Sequence, residues 1–322
     1  MILFVLILAS CQKLKKATPE DLKLLSEMKE SYEALPTNVI DKKAEAHKIE
    51  LGQKLYFEKK LSINNKISCN SCHKLDGFGV DNEPTSPGHD GTRGDRNSPS
   101  SFNSATHVAQ FWDGRSATVE EQALGPILNP IEHGLPNEAA ALKKIDTEEY
   151  RNLFAKAFPD KKQSFTYKNI GNAIGAFEKT LFFQSRFDRY LKGEVFAISE
   201  QEKRGMKKFE SIGCTSCHDG ATLGGNQYQK LGAVEPYKTE DKGRYNVTKD
   251  EDDKYVFKVP SLRNVAKTFP YFHDGSIKSL EEAIKIMAKH QLGEKVTEED
   301  VADIKAFLES LTAEDVPRFS QN

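Results

Sequence analysis

The chain has 322 residues, of which 38% are hydrophobic and 29% charged, a composition typical of a soluble globular protein with room for two domains. This composition excludes a disordered chain and a multi-span membrane protein. Forty-six basic and forty-eight acidic side chains give a net charge of -2, which removes the electrostatic argument for nucleic-acid binding. The five cysteines are an odd number, so disulfide pairing alone does not account for them.

The N-terminus predicts an export signal. Residues 2–9 are continuously apolar, but this run is too short to span a bilayer. It ends in Leu8-Ala9-Ser10-Cys11, which resembles the lipobox of bacterial lipoproteins, where the cysteine is lipidated. We therefore expect residues 1–11 to be a signal peptide ending in the lipobox cysteine, with the protein in the periplasm and attached to a membrane only through lipid on Cys11. The alternative is an apolar core segment with an incidental cysteine.

Residues 12–40 are polar and rich in lysine, and we expect them to form a tether and a polar helix. No chemistry is evident in this segment.

The other four cysteines lie in two C-x-x-C-H motifs, at residues 69–73 and 214–218. Two cysteines at this spacing reach the two vinyl groups on one edge of a porphyrin, and the following histidine can bind the iron. The alternatives are a four-cysteine zinc site or redox dithiols, but neither needs a histidine after each second cysteine. The motifs therefore predict two covalently bound haem c groups. Thioether attachment would use Cys69, Cys72, Cys214 and Cys217, and proximal ligation would use His73 and His218.

Helical patterns around the motifs favour a cytochrome c unit in each half. Ser199 with Glu202 predicts a capped helix before the second motif, and Thr297 predicts the cap of a closing helix. In the first half, the stretch from Tyr167 to Tyr190 is predicted to be the matching closing helix. We therefore expect a mostly α fold with two cytochrome c-like haem domains in tandem, at residues 41–195 and 196–322.

An internal repeat supports duplication without using the haem motifs. The blocks that begin at Pro99 and Pro260 match at an offset of 161, whereas the haem motifs are offset by 145. The second half thus carries about 16 extra residues between motif and block, which we place within residues 238–258. The matched positions include Pro99, Asn103, Phe111, Asp113 and Gly114, which correspond to Pro260, Asn264, Phe272, Asp274 and Gly275.

The two halves differ at the candidate second axial ligand. Met287 lies on a predicted helix that starts near Leu280, and His/Met ligation raises the reduction potential of a haem. The equivalent position in the first half is Pro126, which cannot bind iron. We therefore expect electron transfer at the second haem and an open or borrowed position at the first. The alternative is that Met287 is a core methionine.

The first half instead offers three unusual side chains. His89 lies in a Gly-, Pro- and Asp-rich loop that could carry a ligand on and off the iron, and Glu132 could shuttle a proton of bound peroxide. Trp112 is the single tryptophan and aligns with His273 in the repeat. The alternatives are solvated surface positions for His89 and Glu132 and simple packing for Trp112.

From about residue 45 onward, the chain resembles the bacterial di-haem cytochrome c peroxidase family. The specific matches are both C-x-x-C-H motifs, residues 110–115, residues 125–132, residues 259–264 and residues 271–275. The resemblance implies that the His73 haem is the low-potential peroxidatic site and that electrons arrive at the high-potential His218/Met287 haem. It also implies that His89 caps the resting iron, that Glu132 is the catalytic acid-base group and that Trp112 lies between the haems.

The resemblance further implies a calcium ion between the domains, held by the side chain of Asn97 and the carbonyls of Thr268 and Pro270. Hydrogen peroxide is the implied substrate, the implied donor is a monohaem cytochrome c or a cupredoxin, and a homodimer is expected. One departure is His133, where relatives often have Met. The alternative functions are a di-haem electron carrier, disfavoured by the missing first-half methionine, and a maturation oxygenase, disfavoured by Met287.

Overall fold

The computed structural model describes residues 16–37 and 39–319. Its secondary structure is mostly helical, with one small antiparallel pair of strands, β1 (Tyr228–Lys230) and β2 (Val256–Lys258). The predicted signal peptide and Cys11 lie outside the described residues. The α-helices are α1 (Pro19–Ser31), α2 (Ala46–Tyr56), α3 (Cys69–Cys72), α4 (Val119–Gln122), α5 (Gly125–Leu128), α6 (Glu138–Lys144), α7 (Glu148–Ala157), α8 (Tyr167–Glu178), α9 (Arg186–Leu191), α10 (Glu200–Ser211), α11 (Tyr245–Thr248), α12 (Leu280–Ile286) and α13 (Glu298–Ser310).

Each half is built on a pair of crossing helices, α2 with α8 in the first half and α10 with α13 in the second. A glycine allows the close approach at each crossing. A Cβ on Gly52 would lie 1.9 Å from the carbonyl oxygen of Ala173, and one on Gly205 would lie 1.8 Å from that of Asp303. Any side chain at these positions would push the helices apart. The prediction of two tandem cytochrome c-like units in a mostly α fold is therefore confirmed.

The predicted caps are present. Ser199 and Glu202 form a capping box at the start of α10, and Thr297 caps α13. The apolar face of α13 is buried as its periodicity predicts, with Phe307 fully inaccessible. Local sequence therefore decides where these two helices begin.

The prediction of one closing helix from Tyr167 to Tyr190 is wrong, because α8 ends at Glu178 and a second helix begins after Ser185. The carboxylate of Asp188 accepts hydrogen bonds from the backbone N–H and the hydroxyl of Ser185, which forms a capping box and starts α9. Phe187 and Tyr190 then pack into the core of the second half. The core of the second half thus begins before residue 195.

The N-terminal helix is present, but it is amphipathic rather than polar. Leu24, Leu25 and Met28 are buried in the core of the second half, because their spacing places them on one face of α1. The backbone N–H of Gly220 also donates to the carbonyl of Ser31. This part of the predicted tether is therefore a packed element of the second half.

A buried ion pair joins α9 to the second half. The Arg263 guanidinium lies 2.8 Å from the Asp188 carboxylate, and both side chains are almost inaccessible. Asp188 also accepts from the backbone N–H of Leu35, so the pair holds the chain that follows α1. Removal of one member would leave the other as an uncompensated buried charge.

We expect Arg263→Met to lower the free energy of unfolding by about 3–5 kcal/mol, because Asp188 would lose its buried counter-charge. Chemical denaturation of the holoprotein measures the change. The matched control is Arg204→Met, since the Arg204 side chain is 58% exposed and pairs with Asp303. This exposed pair should contribute less than about 1 kcal/mol. Equal losses in the two variants would contradict the assignment.

Repeat positions adopt the same backbone conformation in both halves. Asn103 and Asn264 have φ of 61° and 64°, and Phe111 and Phe272 have φ of 65° and 69°. Short 3-10 turns follow both asparagines, at Ser104–Thr106 and Val265–Lys267. Such left-handed conformations are uncommon outside glycine, so their recurrence at an offset of 161 supports the duplication.

The halves diverge immediately after the repeat block. In the second half α12 continues into a π-helical turn, Met287–Leu292, whereas in the first half α4 ends after four residues and α5 restarts around Pro126. Proline lacks the N–H that a continuous helix needs. This difference gives the two halves differently shaped cavities.

The extra residues of the second half form a connection between the halves. This segment contains α11 and β2, and β2 pairs with β1, which precedes the segment. Arg96 of the first half pairs with Asp241 of the segment at 2.6 Å and with Asp113 at 2.6 Å. The Arg244 guanidinium also donates to the carbonyl of Asp113. The added segment therefore lies against the first half.

Candidate active site

The haem motifs form short turns in both halves. Cys69 and Cys72 lie at the two ends of α3, and Cys214 begins a 3-10 turn that precedes Cys217. All four thiols are unpaired and partly accessible. Burial raises the pKa of Cys72 to about 11 and that of Cys214 to about 12, so these thiols are neutral.

The two motif histidines are held in the same way. Nδ1 of His73 lies 3.0 Å from the carbonyl oxygen of Pro99, and Nδ1 of His218 lies 3.1 Å from that of Leu223. Burial lowers the pKa of both imidazoles, which favours the neutral form. A neutral imidazole that donates through Nδ1 leaves Nε2 as a metal ligand. Both histidines therefore fit proximal ligation of haem iron.

The cavity in the second half is apolar and suits a porphyrin. It has a volume of about 190 Å³, and both His218 and Met287, the residue that follows α12, line it. Cys214 and Cys217 lie on its wall. The structure thus brings together the complete set of donors that the sequence predicts for this haem.

The first half has two adjoining cavities of about 160 and 100 Å³, and both are lined by His73 and Pro126. Proline therefore occupies the place that Met287 has in the other half. Cys69 and Cys72 line the smaller of the two cavities. The first half offers candidate thioether and proximal ligands, and among the residues that the structure describes no methionine lines either of its two cavities.

Glu132 lines both of these cavities. Its Oε1 accepts a hydrogen bond of 2.8 Å from Nδ2 of Asn129, which fixes the carboxylate. Burial raises the pKa of Glu132, opposed by the nearby Arg115 and by the Asn129 hydrogen bond. A raised pKa brings a carboxylate closer to the range in which it both accepts and donates a proton.

The neighbouring His133 is buried and lines the smaller of the two cavities. Its Nδ1 lies 2.7 Å from the carbonyl oxygen of Leu61, and burial lowers its pKa. The histidine at position 133 is therefore a neutral ring that is held by a hydrogen bond to the backbone.

His89 lies beside the first-half cavities rather than along their walls. Its Nε2 is 3.1 Å from the carbonyl oxygen of Pro130, and a Cβ on Gly134 would lie 2.6 Å from the ring. The backbone N–H of His89 donates to the carbonyl of Glu132 at 2.8 Å. The loop of His89 is thus attached to the segment that carries Glu132.

Trp112 lies between the cavities of the two halves and lines both. Its indole N–H donates to the carbonyl of Asn97 at 2.9 Å, and its ring meets that of His273 edge to face at 6.5 Å. The two side chains that replace one another in the repeat therefore contact each other at the junction. This position fits the role that the resemblance implies for Trp112.

The predicted calcium ligands share a fourth cavity, of about 110 Å³, between the halves. Asn97, Thr268 and Pro270 all line it. The side-chain amide of Asn97 donates to the carbonyls of Glu83 and Pro84, which leaves Oδ1 as an acceptor. Among residues 16–37 and 39–319, no cluster of three or more His, Cys, Asp or Glu side chains forms a separate metal site.

Two cavity residues were not identified from the sequence. Glu178 is 6% exposed at the end of α8, and burial next to Glu120 raises its pKa to about 8. Its signal is a carboxylate that follows the buried Phe177 on the core side of a helix. Lys258 is a buried lysine between the apolar Phe257 and Val259. For both residues, the sequence signal is a charged side chain at a buried position of an apolar segment.

Both halves have counterparts in known proteins. Residues 46–195 match the family described as di-haem cytochrome c peroxidase, and residues 202–312 match the cytochrome c family. The chain is 44% identical over 269 residues to cytochrome c551 peroxidase of Pseudomonas aeruginosa, which covers 82% of this chain and 78% of the relative. It is 43% identical over 273 residues to cytochrome c551 peroxidase of Nitrosomonas europaea, and this match covers 84% of this chain and 81% of the relative.

A solved structure has the same arrangement of the halves. It is a MauG-like protein associated with microbial copper homeostasis, and it superposes with a TM-score of 0.79 at 31% identity. The superposition covers 89% of this chain and 97% of that chain. The similarity therefore extends over most of both chains.

Proposed function

This chain belongs to the di-haem cytochrome c peroxidase family, and on that premise we propose that it reduces hydrogen peroxide to water at the His73 site with electrons from a small redox protein. Family membership makes the chain a cytochrome c peroxidase and implies haem c in both halves. The proposal concerns the order of the sites and the roles of individual residues. The observation that carries it is Glu132 on the cavity of His73, where Pro126 replaces the methionine of the other half.

Haem c, held through His73 and His218, would supply redox-active iron at both sites, and at the His73 site it would supply the metal that binds peroxide. The Pro99 carbonyl orients His73 so that Nε2 faces the haem site. Pro126 offers no ligand, so the cavity that it lines together with Glu132 would remain accessible to peroxide. The net reaction consumes two electrons and two protons for each peroxide and yields two waters.

Glu132 is the proposed acid-base group. Held by Asn129, its carboxylate would move a proton from one oxygen of peroxide to the other, which leaves as the first water when the O–O bond breaks. The two electrons from the donor and two further protons convert the remaining oxygen to the second water. His89 is the proposed displaceable cap, and the hydrogen bond of its ring to the Pro130 carbonyl represents the position away from the cavity. Electrons reach the first half from the His218/Met287 site past Trp112, which borders both cavities.

The calcium site, the location, the electron donor and the oligomeric state are further parts of the proposal. We propose calcium at Asn97, Thr268 and Pro270, a periplasmic location with lipid on Cys11, a monohaem cytochrome c or cupredoxin as donor, and a homodimer. The common cavity of the three residues and the free Oδ1 of Asn97 support the calcium site. Within the described parts of the chain, none of the helices has the length and apolar character that crossing a bilayer requires.

The test of this proposal is steady-state turnover of the holoprotein with hydrogen peroxide and a reduced small cytochrome c. Peroxide-dependent oxidation of the donor, after prereduction and calcium addition, is the expected result. A pyridine haemochrome assay should find two c-type haems per chain. The proposal fails if the protein holds both haems and oxidises no donor.

We expect peroxide reduction to decline on the acid side of a pH profile, by roughly tenfold in kcat/KM per pH unit below the pKa of Glu132. Protonation removes the group that accepts the peroxide proton, so activity is present above this pKa and lost below it. Because burial raises the pKa from its ordinary value of 4.5, the loss should begin at higher pH than for an exposed glutamate. An unchanged acid limb in Glu132→Gln would assign it to another group.

A further inference from the structure

Lys258 is a buried cation without a carboxylate partner in the described part of the chain. Lys258 is the last residue of β2, at the junction of the halves, and it is 7% exposed. The backbone N–H of Lys258 donates to the carbonyl of Trp112 at 2.8 Å. Nζ lies 3.2 Å from Nδ1 of His107, a neutral partner. The strand therefore holds an ammonium group in the interior without a counter-charge.

Burial of the Lys258 ammonium group without a counter-ion destabilises the folded protein. Removing an ammonium from water costs several kcal/mol unless a counter-ion or hydrogen bonds replace the lost hydration. Burial lowers the pKa of Lys258 to about 8. The other cations of the same cavity are paired, because Arg96 and Arg115 both contact the Asp113 carboxylate. Lys258 thus leaves a place for one additional anion.

None of the carboxylates within residues 16–37 and 39–319 pairs with Lys258. Along the same cavity, Glu132 is bound by Asn129, and Glu178 has a pKa of about 8, so it is largely protonated at neutral pH. Asp241 is engaged in two hydrogen bonds with Arg96. Since no carboxylate in the described part of the chain pairs with Lys258, a bound ligand is the source of the anion that we consider.

We propose that Lys258 Nζ binds a propionate carboxylate of the haem held by His73. Lys258 and His73 line the same cavity, and the two propionates are the charged substituents of an otherwise apolar porphyrin. His107 acts as a positioning residue: its Nδ1 accepts one N–H of the ammonium and leaves the other two for the carboxylate.

His107 also decides between the two haems. Lys258 borders the cavity of His218 as well, but His107 lines the cavity of His73 and is not part of the wall around His218. The ring of His107 packs against Gly225, where a Cβ would approach it to 2.4 Å. Glycine at this position allows the ring to hold Nζ on the side of His73.

The consequence is electrostatic. A cation beside a haem favours the reduced state, which carries one less positive charge, and therefore raises the reduction potential. Lys258 would thus raise the potential of the His73 haem, the lower of the two in the proposed function. This inference rests on a haem at His73 and not on peroxide turnover.

The experiment measures the potentials of both haems in the holoprotein by spectroelectrochemistry. Lys258→Met should lower the potential of the His73 haem alone, with two haems per chain retained, and Lys258→Arg should preserve it. Lys249→Met is the matched control, since Lys249 is exposed on the same added segment. Unchanged potentials in Lys258→Met, or a shift confined to the His218 haem, would overturn the proposal.

A crystal structure of the wild-type holoprotein decides the matter if Lys258→Met fails to fold or to hold haem. Nζ within hydrogen-bonding distance of a haem carboxylate oxygen is the expected result. Nζ bound only to protein groups or water would overturn it. If Lys258→Met shifts the potential of the His73 haem while the wild-type holoprotein shows no peroxide turnover, the proposed function fails and this inference stands.

Discussion

Glu132→Gln should reduce kcat/KM for hydrogen peroxide by roughly 10²- to 10⁴-fold, the contribution of a positioned acid-base group. Glutamine has nearly the same shape, and its Oε1 can still accept the hydrogen bond from Asn129 that measures 2.8 Å in the wild type. The variant therefore removes the proton acceptor while it preserves the cavity of His73. Steady-state turnover with a reduced cytochrome c measures the loss.

Two controls separate chemistry from folding. Glu148→Gln changes an exposed glutamate in the first turn of α7, far from any cavity wall, and should leave turnover unchanged. Haem content and both reduction potentials of Glu132→Gln should equal those of the wild type. Turnover that stays within a few-fold of wild type would exclude Glu132, and Glu178, the other carboxyl group on the same cavity, would be tested next.

For Met287→Leu, we expect a fall in the reduction potential of the His218 haem with no change at the His73 haem. Leucine fills a similar volume but has no thioether to donate to iron, and a methionine axial ligand raises haem potentials. Met287 lines the same cavity as His218, so the substitution acts on that site directly. Spectroelectrochemical titration resolves the two haems.

Met206→Leu is the matched control for this variant. Met206 is fully buried on α10, in the core of the second half, but it is not part of the cavity wall around His218. It should lower stability by less than about 1.5 kcal/mol and leave both potentials unchanged. If Met287→Leu also left both potentials unchanged, methionine would not be the axial ligand.

The features that were predicted correctly depend on neighbouring residues along the chain. The C-x-x-C-H spacing specifies a turn that presents two thiols and an imidazole, and Ser199 with Glu202 specifies the start of α10. The repeat could also be recognised from the sequence, because equivalent positions carry the same residues. Asn103 and Asn264, for example, adopt the same uncommon backbone conformation. Each of these signals is complete within a few residues.

The predictions that failed concern which half a segment packs against. The apolar spacing of Phe187 and Tyr190 is the same whether they continue α8 or form a separate helix. Likewise, the sequence of α1 shows a potential apolar face but not the core that buries it. Val316 and Phe319, near the C-terminus, pack against the core of the first half instead of their own. Long-range packing decides these positions, and hydrophobic periodicity does not specify a partner.

By itself, the sequence determined the chemistry of this protein: two covalent haem sites, a methionine at 287 against a proline at 126, and a glutamate at 132. Only the tertiary structure decided how these groups share space. It placed Glu132 and Pro126 on the cavity of His73 and Trp112 between the cavities of the two halves. It also buried Lys258 beside them, with no carboxylate partner among the residues that the structure describes. Ligand chemistry is a property of residue types at short spacing, whereas burial and counter-charge arise from segments far apart in the chain that fold together.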